Sequence, residues 1–117
     1  MPGAPRKKPQ TLTKEQRARL EAAEAKLREE VGERIVLIRM ALGLTQAEWA
    51  RRIDIPKPVL SQQENGLYLP SIQYALRMDE VSGCTLDFLY KGKMNGVPTD
   101  LAARMNRIPK GMKKPPR

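Results

Sequence analysis

The chain has no histidine and a single cysteine, Cys84. Without histidine the commonest general base and metal ligand is missing. One thiol supplies neither a zinc site nor a disulfide within one copy, which fits a reducing cytoplasm. No apolar run approaches the roughly 20 residues that span a bilayer, and the N-terminus has no secretory apolar core. A phosphate-binding glycine loop and a nucleophile elbow are also missing. The expectation is a protein that is not an enzyme, with no cofactor, no metal and no membrane partner. Cys84 is read as a small core residue after Gly83, and the six scattered methionines as gap fillers.

Charge is what the chain has in excess, a net +9 over 117 residues. It is concentrated at the ends. Arg6, Lys7, Lys8 and Lys14 precede the first acid, and Arg104, Arg107, Lys110, Lys113, Lys114 and Arg117 follow the last. Between them, residues 15–103 are close to neutral, with twelve basic and thirteen acidic side chains. Two proline-containing basic tails therefore flank a balanced middle, and they serve either to attract phosphate or only to aid solubility.

The length suits one domain with extensions. Residues 1–12 read as a disordered basic tail without periodicity. Residues 13–31 read as a helical extension: Thr13 and Gln16 form a capping box, and Leu20, Ala23, Leu27 and Val31 make a narrow apolar stripe. Gly32 either breaks this helix or lets it run on. From Glu33 to Leu42, Ile35, Val36, Ile38, Met40 and Leu42 cover a broad face expected to be buried, and Gly43 ends the segment. Later, Ser71 caps a helix with Ile72, Ala75, Leu76 and Met78 predicted inward, and Gly83 stops it. Thr85 caps a short helix with Leu86, Phe88, Leu89 and Tyr90, and a further short helix is possible from Pro98-Thr99-Asp100 to Met105. The boundaries drawn are 32–92 for the central domain and 93–117 for a C-terminal extension and basic tail.

The most informative stretch is Gly43 to Gly66. Thr45 and Glu48 form a capping box, and Leu44 and Trp49 are spaced as a hydrophobic staple. Trp49, Ala50 and Ile53 give this short helix one core face, with Gln46, Arg51 and Arg52 outward. Asp54 then breaks the pattern. Proline lacks an amide proton and is tolerated in a first helical turn, so Pro56 to Pro58 mark the start of a second helix, which Asn65-Gly66 terminates. Leu60 is its core residue, while Lys57, Ser61 and Gln62 lie on another face, and lysine and glutamine there are able to donate to base edges. Two short helices joined by a tight turn make a helix-turn-helix that fits a major groove.

Thr45-Gln46-x-Glu48 with Ala50, then Leu60-Ser61-x-x-Glu64-Asn65-Gly66, resembles the lambda-repressor-like (Cro/C1, xenobiotic-response-element type) helix-turn-helix family over roughly Glu33 to Gly92. The resemblance implies an all-α, compact five-helix domain, here with the N-terminal helical extension and basic tails. It implies that Gln46 braces the DNA backbone and helps orient the recognition helix. Base contacts would fall on Lys57, Pro58 and Gln62, with Ser61 on the same face, and Asn65 would touch phosphate. Arg51 and Arg52 are candidates for the backbone as well. The resemblance also pairs Arg39 with Glu64 as a structural ion pair. Four positions depart from the family pattern: Asp54 stands for the usual turn glycine, Pro56 for a serine or threonine cap, Pro58, which offers only an apolar contact, for a hydrogen-bonding side chain, and Gln63, expected to face solvent or DNA, for an aromatic or aliphatic residue.

The resulting expectation is a sequence-specific double-stranded DNA-binding transcriptional regulator, a repressor by operator occupancy. It would be a cytoplasmic, nucleoid-associated homodimer of bacterial or phage origin, with a regulatory protein as a further partner. The Leu20 to Val31 stripe and the segment after Gly92 are the candidate dimer surfaces. The competing expectation is a protein-interaction module, an antitoxin or antiactivator that keeps the fold.

Overall fold

The computed structural model describes residues 10–111. Most of the expected disordered tail lies outside them, as do the charges at Arg6, Lys7, Lys8, Lys113, Lys114 and Arg117. Six α-helices and no strands make up the described residues: α1 (Lys14–Ala41), α2 (Gln46–Arg52), α3 (Lys57–Glu64), α4 (Ile72–Ser82), α5 (Leu86–Lys91) and α6 (Thr99–Asn106).

The Thr13/Gln16 capping box forms, with Thr13 Oγ1 accepting from the Gln16 amide at 3.0 Å and Gln16 Oε1 accepting from the Thr13 amide at 2.9 Å. From there α1 runs for 28 residues without a break, about 42 Å at 1.5 Å per residue. Of the two readings of Gly32, the uninterrupted helix is the one found. Glycine stands there because of α3, since a β-carbon on Gly32 would lie 2.7 Å from both the Gln63 and Glu64 carbonyl oxygens. The first turns of α1, through Lys26, are exposed on every side and project from the domain as an arm.

The core is a single cluster. Val31, Ile35 and Ile38 of α1 meet Trp49, Ala50 and Ile53, then Leu60, Ala75, Met78, Cys84, Phe88 and Leu89. Leu101 and Met105 of α6 belong to it too. α6 closes back onto α1, so in the segment after Gly92 Leu101 and Met105 are taken up within the chain, while Met94 stays 44% exposed. A correction concerns α4. Ala75 and Met78 are buried, but Ile72 and Leu76 are 58% and 50% exposed. At 100° per residue they sit on a flank of the helix, where no other element covers them.

Cys84 is buried and free. Burial pushes its thiol up to about 11. It follows Gly83, which takes the left-handed conformation at φ +76° and ends α4. Thr85 caps α5 through a 3.1 Å bond from the Phe88 amide while itself at φ +73°. For a β-branched residue that is a strained backbone.

Candidate nucleic-acid interface

The geometry of α2 and α3 is set by local chemistry at each end. At the start of α2, the Thr45 hydroxyl accepts from the Glu48 amide at 3.1 Å and the Glu48 carboxylate accepts from the Thr45 amide at 2.8 Å. That bond holds the Glu48 carboxyl below its ordinary range. Leu44, on the near side of the cap, is buried with Trp49.

Between the helices Asp54 takes φ +56°, the left-handed conformation that a glycine would reach without cost. Three contacts hold the turn there. Ile53 and Ile55 are buried on either side, the Ile55 amide donates to the Ala50 carbonyl at 2.9 Å, and Arg77 Nη1 donates to the Asp54 carbonyl at 2.7 Å. Arg77 also lies over the Tyr74 ring, 5.4 Å from its centroid. No sequence motif pointed to Arg77, because its partner is a backbone carbonyl 23 positions away.

Pro56 precedes α3 with no side-chain capping bond, and Pro58 sits in the first turn, where its missing amide proton breaks no helical bond. At the other end Gly66 turns left-handed at φ +77°, and the Gly66 and Leu67 amides donate to the Gln63 and Gln62 carbonyls at 3.1 and 3.0 Å. Within α3, Leu60, Gln63 and Glu64 face inward. Gln63 is thus a correction, since the residue expected at solvent or DNA is 3% exposed, with its Oε1 making no hydrogen bond. The recurrence of Leu60 and Gln63 at a spacing of three puts both on the side that packs against the core.

The outer face of α3 is what remains. Lys57, Pro58 and Gln62 are exposed, Ser61 is half-exposed, and Asn65 is exposed just past the last turn. These positions recur at one side of the helix and include no acid, so the surface offers donors, a hydroxyl and one apolar contact to whatever lies against it.

A buried polar cluster fixes that face. Arg39 of α1 donates from Nε to Glu64 Oε2 at 2.8 Å and from Nη2 to Oε1 at 3.1 Å, and from Nη1 to the Leu44 carbonyl at 3.2 Å. Gln46 Nε2 donates to the same Glu64 Oε1 at 2.9 Å. One carboxylate therefore ties α1, α2 and α3 together. The Gln46 amide is turned toward α3, which leaves its second amide hydrogen and its backbone N–H for anything outside.

The structure separates Arg51 and Arg52. Both are exposed at the end of α2, but Arg52 lines a shallow hollow with Ile53, Asp54, Arg77, Glu80 and Val81, on the α4 side of the turn. Among the described residues no three histidine, cysteine, aspartate or glutamate side chains are grouped as a metal site. No described helix is long and apolar enough to cross a membrane.

A family model described as Helix-turn-helix matches residues 35–89, from the second half of α1 to the core residue Leu89 of α5. No curated protein and no solved structure matches the chain.

Proposed function

Residues 35–89 belong to the lambda-repressor-like, Cro/C1-type helix-turn-helix family of DNA-binding regulators, and from that premise we propose that this chain reads a specific double-stranded operator and represses by occupying it. The observation that carries this reading is the outer face of α3: Lys57, Pro58, Ser61 and Gln62 are presented together, free of acids, on a helix whose inner side is locked by Arg39, Gln46 and Glu64. Lys57 and Gln62 donate to guanine and adenine edges, Ser61 to either, and Pro58 packs on a thymine methyl. Gln46, Asn65 and Arg51 hold the sugar-phosphate backbone, which sets the register without reading sequence. Arg52 is a weaker member of this set because it stands with α4.

One recognition helix reads few base pairs, so the protein acts as a homodimer on half-sites about one helical turn apart. The basic tails add affinity that is independent of sequence. The natural setting is a bacterial or phage cytoplasm, with the protein on the nucleoid.

Selection of fragments from random duplex DNA by the full-length protein tests the proposal. Enrichment of a short palindrome, lost with Lys57→Ala/Gln62→Ala, is the expected result. Uniform retention of all fragments, abolished by salt and unchanged by the substitutions, would refute base reading and favour a protein-interaction module.

A further inference from the structure

Three asparagines occur in the chain, and two of them, Asn65 and Asn95, are followed by glycine. Asparagine is chemically labile, most of all before glycine. The glycine amide nitrogen, once deprotonated, attacks the asparagine side-chain Cγ, and no β-carbon stands in its way. The attack needs a nitrogen that is not already donating and a backbone free to turn about the asparagine. The structure gives the two pairs opposite surroundings.

At Asn65 both conditions are withheld. The Gly66 amide donates to the Gln63 carbonyl at 3.1 Å and the Leu67 amide to the Gln62 carbonyl at 3.0 Å, bonds that close the end of α3. Gly66 is also pressed against α1: a β-carbon built on it would lie 3.1 Å from Glu29 Cα and 3.4 Å from the Glu29 nitrogen. That peptide cannot rotate without parting α3 from α1. At Asn95 nothing comparable holds. Asn95 and Gly96 are both exposed in the turn between α5 and α6. Among the described residues the Gly96 amide donates to no acceptor, and the Asn95 side chain makes no hydrogen bond. One bond closes the turn, from the Val97 amide to the Met94 carbonyl at 3.1 Å. A β-carbon on Gly96 would meet only Thr85 Cγ2, at 3.5 Å.

We propose that Asn95 is a self-modification site in the folded protein and that Asn65 is not. The Gly96 nitrogen forms a bond to Asn95 Cγ and the Cγ–Nδ2 bond breaks. Ammonia leaves with the proton that the glycine amide gave up, and a succinimide closes. Water then adds to one of the two imide carbonyls. Addition at Cγ releases the side chain as aspartate. Addition at the main-chain carbonyl leaves isoaspartate, in which the chain runs on through the side-chain carbon. Water is the only co-reactant, and nothing is oxidised or reduced. Both products add a negative charge, and the isoaspartyl form lengthens the connection that returns Leu101 and Met105 of α6 to the core. The same change at Asn65 would set a carboxylate beside the outer face of α3, and the clamp on Gly66 suppresses it.

The test is to age the full-length protein at mildly alkaline pH, where more of the glycine amide is deprotonated, with and without enough urea to unfold it. Peptide mapping by mass spectrometry, with aspartyl and isoaspartyl peptides separated, follows each asparagine. In the folded chain Asn95 is expected to convert at least about tenfold faster than Asn65, the factor that a local-opening cost of about 1.4 kcal/mol produces. In urea the two rates should converge, because the dipeptide is the same and only the fold distinguishes the sites. Isoaspartate should accumulate at position 95 alongside aspartate, as a succinimide requires. Equal rates in the folded protein, faster conversion at Asn65, rates that stay as far apart in urea as in the native state, or aspartate without isoaspartate at position 95 would each overturn the proposal.

Discussion

Arg39 and Glu64, 25 positions apart, close a two-bond ion pair at 2.8 and 3.1 Å in which neither side chain is more than 5% exposed. It joins the last turn of α1 to the last residue of α3, and Gln46 adds a third bond to the same carboxylate. A buried pair of this kind contributes little net stability against an apolar replacement, but breaking it leaves one charge without a partner. Glu64→Ala should therefore cost about 3–5 kcal/mol in urea unfolding, whereas Arg39→Met/Glu64→Leu should cost much less. A loss below about 1 kcal/mol for Glu64→Ala would mean that the pair is solvated like a surface pair.

Gly32 gives a test in which two effects oppose. Replacing a mid-helix glycine by alanine ordinarily gains up to about 1 kcal/mol. Here the new β-carbon would meet two backbone oxygens of α3 at 2.7 Å, and neither is free to rotate away. Overpacking of about 1–3 kcal/mol outweighs the gain, so Gly32→Ala should lower Tm. Operator affinity should fall with it, because the displaced segment is the end of α3. A raised Tm would show that α1 and α3 do not pack as closely as described.

Cys84 should be inert in the folded chain. The thiolate is the reactive form, and burial raises the pKa from 9.0 to about 11. Disulfide reagents should react at the rate of unfolding at neutral pH. The folded state then binds more protons than the unfolded state between about pH 9 and pH 11, so the contribution of this group to stability is full below pH 9 and declines across that interval. Fast labelling of native protein at neutral pH would contradict this.

The tails separate affinity from specificity. Removing residues 1–9 and 112–117 deletes Arg6, Lys7, Lys8, Lys113, Lys114 and Arg117. Each phosphate that one of these side chains neutralises adds about 0.9 to the steepness of log K against log salt, so the truncated chain should show a shallower salt dependence. The ratio between operator and unrelated duplex should stay the same. A truncated chain that binds both duplexes equally would instead place sequence reading in the tails.

What was legible in the sequence was local. The Thr45/Glu48 box and the Gly66 stop each depend on a few neighbouring residues, and their signals stand in the sequence beside them. Gly32 was ambiguous because the carbonyls that exclude a side chain belong to residues some thirty positions later. Ile72 and Leu76 were placed inward because periodicity reports apolarity and not which face has a partner. Gln63 was placed outward for the converse reason, since only the approach of α3 to the core buries it. The inner half of the site followed from the resemblance, through Arg39 and Glu64. Arg77 did not, because it positions the turn through a backbone oxygen and not through a motif.

The most direct test of base reading by α3 is a titration at fixed salt of the selected operator and of a scrambled duplex, with the wild type and with Lys57→Ala/Gln62→Ala. Each specific base-edge interaction is worth about 1–3 kcal/mol of discrimination. The account predicts that the double variant binds the operator about 100-fold more weakly or worse, while its affinity for the scrambled duplex falls only by the share of one lysine charge. An equal loss on both duplexes, or no loss on either, would contradict it.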